Sequence, residues 1–336
     1  MDELRKERVD RSLKVRTEGI YAISSMEEII YLLGPRLLFV VGILILPFLL
    51  EAAPYWKRVM NIMCAYAIIA ISFDFLSNFV GLVCLGGALF TGVGGYFAAI
   101  FNHYLSLPIY FSLPLATLCG AIFCTLVLLP ALPLRGVYFA IVTLMYPLLF
   151  SRIIEAQNIL GGTNGISGIE SFPNPYVEQY TVILILVFSL FGMRRFVNED
   201  IGLVFRGVKD NDQAVKASGI NVTTIKIYAV FLASVMACFS GAYIAHLYMW
   251  AGLSLFALDF SIIPIASTVI GGGGTLIGAV IGSFILVPLS EILRAAGTLR
   301  IVIYCVVLTL FILFKSEGLV IYLQRKYHQF ERWVKV

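Results

Sequence analysis

One carboxylate, Asp74, stands in the middle of a long apolar run, inside the sequence ISFDFL. An ionised side chain in an apolar segment is costly to bury, so such a residue usually faces a cavity or a polar partner. Two interpretations stay open from the sequence. Asp74 either lines a pathway for a polar solute, or it is a hydrogen-bonded packing residue that faces a neighbouring helix or a partner protein.

The histidines, serines and cysteines do not form the patterns that catalysis or metal binding requires. None of His103, His246 and His328 lies in an H-E-x-x-H sequence, no serine lies in G-x-S-x-G, and no G-x-x-x-x-G-K-[ST] loop is present. The six cysteines lie in apolar runs without a C-x-x-C pair, which is typical of small buried side chains. The sequence therefore predicts no enzyme, no catalytic residue, no metal site and no cofactor bound by this chain.

The composition is that of a membrane protein. Of the 336 residues, 60% are hydrophobic and 13% are charged, and the mean hydropathy is +0.93. Soluble domains are about 45–50% apolar and about 25% charged. A helix needs about 20 apolar residues to cross a bilayer, and the chain is almost continuously apolar from Leu37 to Phe314. We therefore expect an all-α polytopic membrane protein in a lipid bilayer, and the net charge of +4 does not indicate a nucleic-acid partner.

Short polar or glycine-rich interruptions divide this region into about ten transmembrane segments. Some segments are shorter than a full span, and glycines crowd two junctions, at 81–95 and 271–282, so broken helices are expected there. Close packing of helices through small residues is the alternative explanation of these glycines. The predicted segments are 37–50, 59–79, 87–102, 109–129, 137–155, 176–192, 225–249, 262–271, 276–291 and 299–314.

Lysine and arginine residues indicate the orientation of these segments. They concentrate in residues 1–36, at Arg135, in residues 193–224 and in residues 315–336, and basic loops stay on the cytoplasmic side. We predict a charged cytoplasmic N-terminal extension (1–36), a transmembrane domain (37–314) with a cytoplasmic loop at 193–224, and a cytoplasmic C-terminal tail (315–336). Both termini are thus predicted to lie in the cytoplasm.

The loop at 193–224 contains the most informative polar sequence. Asp210 to Ser218 is predicted to form a short helix, which Asp210 or Asn211 can cap by accepting a backbone N–H and which Gly219 can end in the left-handed conformation. A helix of this length is not stable alone in water. It therefore needs a surface to dock on, either the protein's own helices or a partner protein.

Five stretches of the sequence, in their order and spacing, resemble the LivM-type permease family of branched-chain amino acid ABC importers. The fourth stretch resembles the cytoplasmic coupling loop of ABC-importer permeases, in which an Ala-rich helix followed by Gly docks into the ATPase subunit. The resemblance implies the ABC-importer permease fold and a chain that forms a translocation pathway without bond chemistry of its own. The stretches are 81–90, 134–144, 161–169, 201–220 continuing into 241–246, and 269–278 with 314–319.

The resemblance also implies partners and candidate functional residues. The partners would be a second permease subunit (LivH-like or a second copy of this chain), two cytoplasmic ATPase subunits that bind ATP, and an extracytoplasmic substrate-binding protein, all at the bacterial inner membrane. The ATPase-coupling residues would be Arg206, Lys209, Asp210, Asp212, Ala214, Ala217 and Gly219. The pathway candidates are Asp74, Gly86, Gly87, Tyr138, Phe139, Thr143, Thr163, Asn164, Gly272 and Gly273.

Other interpretations stay open at this point. Tyr138 and Phe139 also fit aromatic residues at the membrane interface, and Thr163 and Asn164 also fit the architecture of a Gly-rich outer loop. An ion-coupled secondary transporter would need no ATPase and would bind its coupling ion at Asp74. Branched-chain amino acids are the expected substrate, and urea, amides and sugars are the alternatives within ABC permeases.

Overall fold

The computed structural model describes residues 4–8, 34, 38, 40–48, 51, 53–134, 136–293, 306, 309, 311, 318–328 and 331–335. Over these residues the protein is mostly helical. The helices are α1 (Pro54–Asp74), α2 (Gly87–Ala99), α3 (Ile109–Leu128), α4 (Val137–Gln157), α5 (Pro175–Asn198), α6 (Asp200–Asp210), α7 (Asp212–Ala217), α8 (Val222–Tyr248), α9 (Asp259–Gly271), α10 (Ile277–Leu293) and α11 (Leu319–His328). Residues 40–48 are also helical, and π-helical segments extend α1 (Phe75–Val80) and α2 (Ile100–Tyr104).

Six helical stretches in the described part of the chain are long and apolar enough to cross a membrane. The shorter helices α10 and α2 have 17 and 13 residues. Eight predicted segments, from 59–79 to 276–291, coincide with observed helices, whereas 37–50 and 299–314 lie partly outside the described residues. The protein is therefore a multi-pass helical membrane protein, and the predicted count of ten spans is not confirmed. The six stretches are Pro54–Val80, Ile109–Ala131, Val137–Gln157, Pro175–Asn198, Val222–Tyr248 and Leu253–Gly271.

Helix α1 lies at the centre of the bundle and packs against α5, α8, α9 and α10. Pro54 starts the helix, where its fixed φ suits the first turn and its missing N–H leaves no bond unmade. Most of the following side chains are buried, as expected of a helix that is apolar around its whole circumference. Ser72 donates to the carbonyl oxygen of Ala233 and Ser240 donates to that of Ala65, both at 3.0 Å, so α1 and α8 run antiparallel.

Helices α2 and α8 cross at backbone contact because the crossing point contains glycines. A Cβ at Gly94 would overlap the backbone of Cys238, and a Cβ at Gly241 would overlap that of Thr91. In a membrane, such close packing through small residues is a main source of attraction between helices. The packing explanation of the glycines, left open by the sequence, therefore holds at this crossing.

Two small antiparallel sheets accompany the helices. β1 (Leu4–Arg8) pairs with β4 (Glu331–Lys335), and β2 (Ile166–Ser167) pairs with β3 (Trp250–Ala251). The prediction of an all-α protein thus describes the bundle but omits these strands. The pairing of β1 with β4 brings the two ends of the chain together, which is consistent with the prediction that both termini lie on one side of the membrane.

The bundle has two ends, the α6 face and the opposite face, which are formed by different elements. The α6 face is formed by α6, α7, the residues just after α1 and the turn 272–276 between α9 and α10. The opposite face is formed by residues 158–174 between α4 and α5, together with β3. The predicted loop 193–224 on the α6 face is mostly helical, because α5 continues to Asn198 and α6 and α7 follow.

Candidate translocation and docking site

The short helix predicted at 210–218 is present as α7, with bounds Asp212–Ala217. Asn211 is its N-cap, because its Oδ1 accepts from the backbone N–H groups two and three residues later, at 3.0 and 3.2 Å. Asp210 instead ends α6. Gly219 follows α7 with a φ of +87°, a left-handed conformation that glycine adopts without strain.

Helix α7 presents two alanines to solvent. Ala214 and Ala217 are exposed, whereas Val215 is half-buried against α6. A carboxylate oxygen of Asp212 lies 4.0 Å from Nζ of Lys226 in α8. The outer surface of α7 therefore contains two small side chains beside the exposed Gln213 and Lys216, and the inner side of the helix is attached to the bundle.

Helix α6 is amphipathic, and the sequence interpretation treated it as part of a loop. It buries Gly202, Phe205 and Val208, which are spaced three residues apart. Arg206 and Lys209 are exposed on its other side. The buried side is thus one narrow stripe, and the charged side faces the surface beside α7.

The carboxylate of Asp74 is fully buried and accepts three N–H groups. Its Oδ1 accepts from Nδ2 of Asn78 and from the backbone N–H of Gly274, both at 2.7 Å, and its Oδ2 accepts from the backbone N–H of Leu276 at 2.8 Å. Asp74 therefore joins the end of α1 to the turn between α9 and α10. These contacts favour the packing interpretation of Asp74 over a side chain that lines a pathway.

Two side chains of α6 contact the segment that follows Asp74. Nζ of Lys209 donates to the backbone carbonyl oxygen of Asn78 at 2.8 Å. The guanidinium of Arg206 lies 5.6 Å from the ring centroid of Phe79, within range of a cation–π contact. These two coupling candidates are therefore exposed side chains whose ends contact the segment after α1.

The glycines of the turn 272–276 belong to the same cluster. Gly272 has a φ of +109°. A Cβ at Gly273 would lie 2.7 Å from Nδ2 of Asn78, and a Cβ at Gly318 would overlap the backbone of Gly272. The structure thus places the pathway candidates Gly272 and Gly273 in the packing around Asp74.

The other glycine pair among the candidates lies at the start of α2, inside the bundle. A Cβ at Gly87 would lie 2.5 Å from the carbonyl oxygen of Phe260, and a Cβ at Gly86 would lie 3.3 Å from that of Thr143. No larger side chain fits at Gly87 without a shift of the backbone. The glycines therefore allow α2 to start in contact with α4 and α9.

Two hydroxyl groups hold the start of α2. The N–H of Leu85 donates to Oγ1 of Thr143, and the N–H of Ala88 donates to Oγ of Ser261, both at 3.0 Å. Thr143 and Ser261 are both buried. The cavity that Gly87 and Ser261 help to line has a volume of about 10 Å³, which suits at most a water-sized molecule. The structure therefore brings together the starts of α2 and α9 in a closed arrangement.

The remaining pathway candidates lie apart from this junction. Tyr138 is 74% exposed, whereas Phe139 is buried in the core. Thr163 and Asn164 are exposed on the opposite face, where Nε1 of Trp250 donates to the carbonyl oxygen of Asn164 at 2.9 Å. Tyr138 thus fits an interface aromatic residue, Phe139 a core residue, and the pair at 163–164 part of a packed outer loop.

A polar cavity of about 280 Å³ lies on the α6 face, between α6, α7 and the start of α8. Its lining includes the predicted coupling residues Lys209, Asp210 and Asp212, and also Lys226. Charges of both signs therefore converge in the space between α6, α7 and the start of α8.

Metal binding has no candidate in the part of the chain that the structure describes. There, no group of three His, Cys, Asp or Glu side chains is placed to hold an ion. His246 is fully buried, with Nδ1 2.8 Å from the carbonyl oxygen of Glu170 and Nε2 3.3 Å from Oγ of Ser112. Its ring therefore joins α8 to α3 and to the loop of the opposite face.

Most of the residues just described lie in one region that matches a known family. The model of the family described as "Branched-chain amino acid transport system / permease component" matches residues 56–314. The chain belongs to this family. The resemblance inferred from five sequence stretches is thereby confirmed, and members of the family are transport permease components.

Named relatives of this permease share about a quarter of their residues with it. The high-affinity branched-chain amino acid transport system permease protein LivM of Salmonella typhimurium is 27% identical over 286 residues, which cover 76% of this chain and 67% of that protein. The protein of the same name from Escherichia coli is 26% identical over 318 residues, with coverages of 84% and 74%. The probable branched-chain amino acid transport permease protein LivM of Methanocaldococcus jannaschii is 26% identical over 239 residues, with coverages of 62% and 68%. No solved structure matches the chain.

Two residues that hold this permease's candidate site were not among the sequence candidates. Asn78 lies four residues after Asp74, and this helical spacing was a usable signal, because residues at i and i+4 share a helix face. Ser261 had no such signal. Its contact with Ala88 joins positions 173 residues apart in the sequence.

Proposed function

We propose that this chain is a transmembrane permease subunit of an ABC importer for branched-chain amino acids. Family membership and the names of the relatives support the substrate class. The observation that carries ATP-driven import is α7, a capped helix of six residues that exposes Ala214 and Ala217 at one end of the bundle. A helix this short depends on contacts for its order, and its exposed side is open to a docked protein.

An ATPase subunit would receive α7 in a groove. The small side chains of Ala214 and Ala217 permit close approach, and Gly219 ends the docked helix. Lys209, Asp210 and Asp212 offer charges in the adjacent cavity to polar groups of the ATPase. ATP would bind to the ATPase subunits alone, and this chain would hold no cofactor and perform no bond chemistry.

The α6 face would lie in the cytoplasm of the cell, at the inner membrane. Its basic residues, among them Arg206 and Lys209, follow the rule that cytoplasmic loops are rich in Lys and Arg. Both termini would lie on this side. A substrate-binding protein would approach the opposite face, where Thr163 and Asn164 are exposed, and a second permease subunit, LivH-like or a second copy, would complete the pathway.

Within this chain, the proposed pathway passes the junction of α2 and α9. The starts of α2 and α9 meet there, and the positive ends of helix dipoles suit the carboxylate of an amino acid. Gly86, Gly87 and Thr143 are the pathway candidates that lie at this junction. Opening it requires the hydroxyl groups of Thr143 and Ser261 to release the N–H groups that they accept.

An ion-coupled transporter is the less favoured function, because three N–H donors already occupy the carboxylate of Asp74. The test is uptake of radiolabelled leucine by the complete complex in proteoliposomes. We expect uptake that requires ATP on the α6 side, persists with ionophores, and is inhibited by isoleucine and valine but not by urea, acetamide or a sugar. Uptake driven by an ion gradient without ATP would contradict the proposal.

A further inference from the structure

A continuous path of hydrogen bonds connects α6 to the turn between α9 and α10. Lys209 donates to the carbonyl oxygen of Asn78 at 2.8 Å, and the side chain of Asn78 donates to Asp74 at 2.7 Å. Asp74 in turn accepts from the N–H groups of Gly274 and Leu276 at 2.7 and 2.8 Å. The surface next to α7 is therefore joined to two transmembrane helices by four bonds.

Aromatic contacts hold the π-helical segment Phe75–Val80 to the same helix. The ring of Phe205 in α6 packs edge-on against Phe75 at 5.4 Å between centroids, and Arg206 lies over Phe79. Aromatic pairs of this geometry add to the free energy of packing beyond their buried area. Because π-helical turns occur frequently at functional sites of helices, this segment is a suitable element to change shape as α6 moves.

The turn 272–276 keeps its shape through Asp74. Gly274 has a φ of +81° and Leu276 has a φ of +57°. A left-handed leucine is strained and persists only where its surroundings hold it. Asp74 accepts the N–H of both residues, so its carboxylate fixes the turn that ends α9 and precedes α10. At its other end, α9 holds the start of α2 through Ser261.

We propose that Asp74 is a positioning residue of the transport cycle, which transmits a displacement of α6 to the turn between α9 and α10. This inference rests on the proposed function, because the displacement would come from an ATPase docked on α7. In this role Asp74 contacts no substrate. It holds two backbone segments together so that they move as one unit when the junction of α2 and α9 opens.

The path depends on a carboxylate rather than on a polar side chain of the same size. Both oxygens of Asp74 accept N–H groups, three in total. Asparagine has one oxygen and one NH₂ group, so Asp74→Asn turns one acceptor into a donor that faces another donor. Loss of one charge-assisted hydrogen bond shifts an equilibrium by about tenfold or more.

The experiment measures leucine uptake and ATP hydrolysis together, in proteoliposomes that hold the complete complex. The variants are Asp74→Asn, Lys209→Met and the two combined. Glu155→Gln is the matched control, because it neutralises an exposed carboxylate of α4 whose ion pair, within the described part of the chain, is local, with Arg152. Membrane abundance and pull-down of the ATPase are measured on every variant.

We expect Asp74→Asn to reach the membrane and bind the ATPase normally, while leucine imported per ATP hydrolysed falls about tenfold, as one lost charge-assisted bond implies. Lys209→Met should lower this ratio in the same direction, and the double variant should be no worse than Asp74→Asn alone, since both break one path. The control should keep the ratio of the unaltered complex. A purely structural role would lower abundance and leave the ratio unchanged.

An unchanged ratio in Asp74→Asn, or effects of the two variants that simply add, would overturn the inference. If Asp74→Asn does not reach the membrane, Lys209→Met decides. A lowered ratio with normal pull-down of the ATPase supports the path, and an unchanged ratio, or a lowered ratio that accompanies lost ATPase binding, refutes it. Absence of ATP-driven uptake by the unaltered complex would contradict the proposed function itself. Normal uptake with unchanged ratios in the variants would contradict only the role of Asp74.

Discussion

The two glycine-rich stretches, 81–95 and 271–282, look alike in the sequence but are held in different ways. At the start of α2, two backbone N–H groups are each accepted by one uncharged hydroxyl, that of Leu85 by Thr143 and that of Ala88 by Ser261. At the turn between α9 and α10, one carboxylate, that of Asp74, accepts two backbone N–H groups at once.

The start of α2 is therefore a junction held by two separate hydroxyl groups. The turn 272–276 and the carboxylate of Asp74 form a clamp, because one side chain holds two backbone N–H groups. Single bonds to hydroxyl groups contribute about 1 kcal/mol each, so the start of α2 can be released one bond at a time. A buried carboxylate with three donors is costly to separate from them, so the turn moves together with the end of α1. The first stretch therefore suits a gate in the pathway, and the second suits transmission of movement to it.

The largest effect is expected where a glycine of the second stretch lies in a helix crossing. A Cβ at Gly282 would overlap the carbonyl oxygen of Ser267, so Gly282→Leu should force α9 and α10 apart, at a cost of about 3 kcal/mol or more. We expect the variant to be nearly absent from the membrane fraction. Gly192→Leu is the control, because nothing lies within 4 Å of a Cβ there. Equal abundance of the two variants would contradict close packing at Gly282.

A smaller effect on stability is expected from a substitution in the turn 272–276, which Asp74 holds. Gly274 has a φ of +81°, and a Cβ there meets only Asn78, at 3.8 Å, so Gly274→Ala tests backbone strain rather than space. We expect a loss of about 1–2 kcal/mol in the free energy of unfolding. Gly274→Asn should lose less, because asparagine tolerates the left-handed conformation. If both variants unfold like the unaltered protein in mild detergent, the turn is not held in this conformation.

The smallest effect on stability is expected at the junction, the start of α2, when one hydroxyl group is removed. Ser261→Ala removes the acceptor of one N–H, that of Ala88, and should lower the free energy of unfolding by about 1 kcal/mol. Ser283→Ala is the matched control, because Ser283 is also buried and, among the described residues, bonds only to Ala279 of its own helix. Indistinguishable unfolding of the two variants would mean that Ser261 does not hold the start of α2.

Sequence patterns predicted the features that local physics decides. Hydropathy located the long apolar helices of the described bundle. Residue type predicted a cap at Asp210 or Asn211, of which the structure shows Asn211, and the left-handed Gly219. The order of five motifs predicted the family, which the comparisons confirmed. Helix α6 was missed although its buried residues recur every third position, because the polar composition of the loop concealed this stripe.

Contacts between distant segments could not be predicted. Asp74 meets Gly274 and Leu276, which lie 200 and 202 residues away, and a sequence without an alignment holds no signal for such pairs. The sequence therefore left pathway and packing equally open for Asp74. For the same reason, it grouped Gly272 and Gly273 with Gly86 and Gly87, whereas the structure places the two pairs at opposite ends of α9.

The proposed ATP-driven import depends on α7 as the site where an ATPase docks, and one measurement tests this directly. Ala214→Trp places bulk on the exposed side of α7, whereas Ala214→Ser keeps the side chain small and Leu203→Trp places the same bulk on the exposed side of α6. ATPase pull-down and ATP-driven leucine uptake are measured for all three variants at equal membrane abundance. We expect Ala214→Trp to lose both activities and the two controls to keep them, and full ATPase binding and uptake by Ala214→Trp would contradict the account.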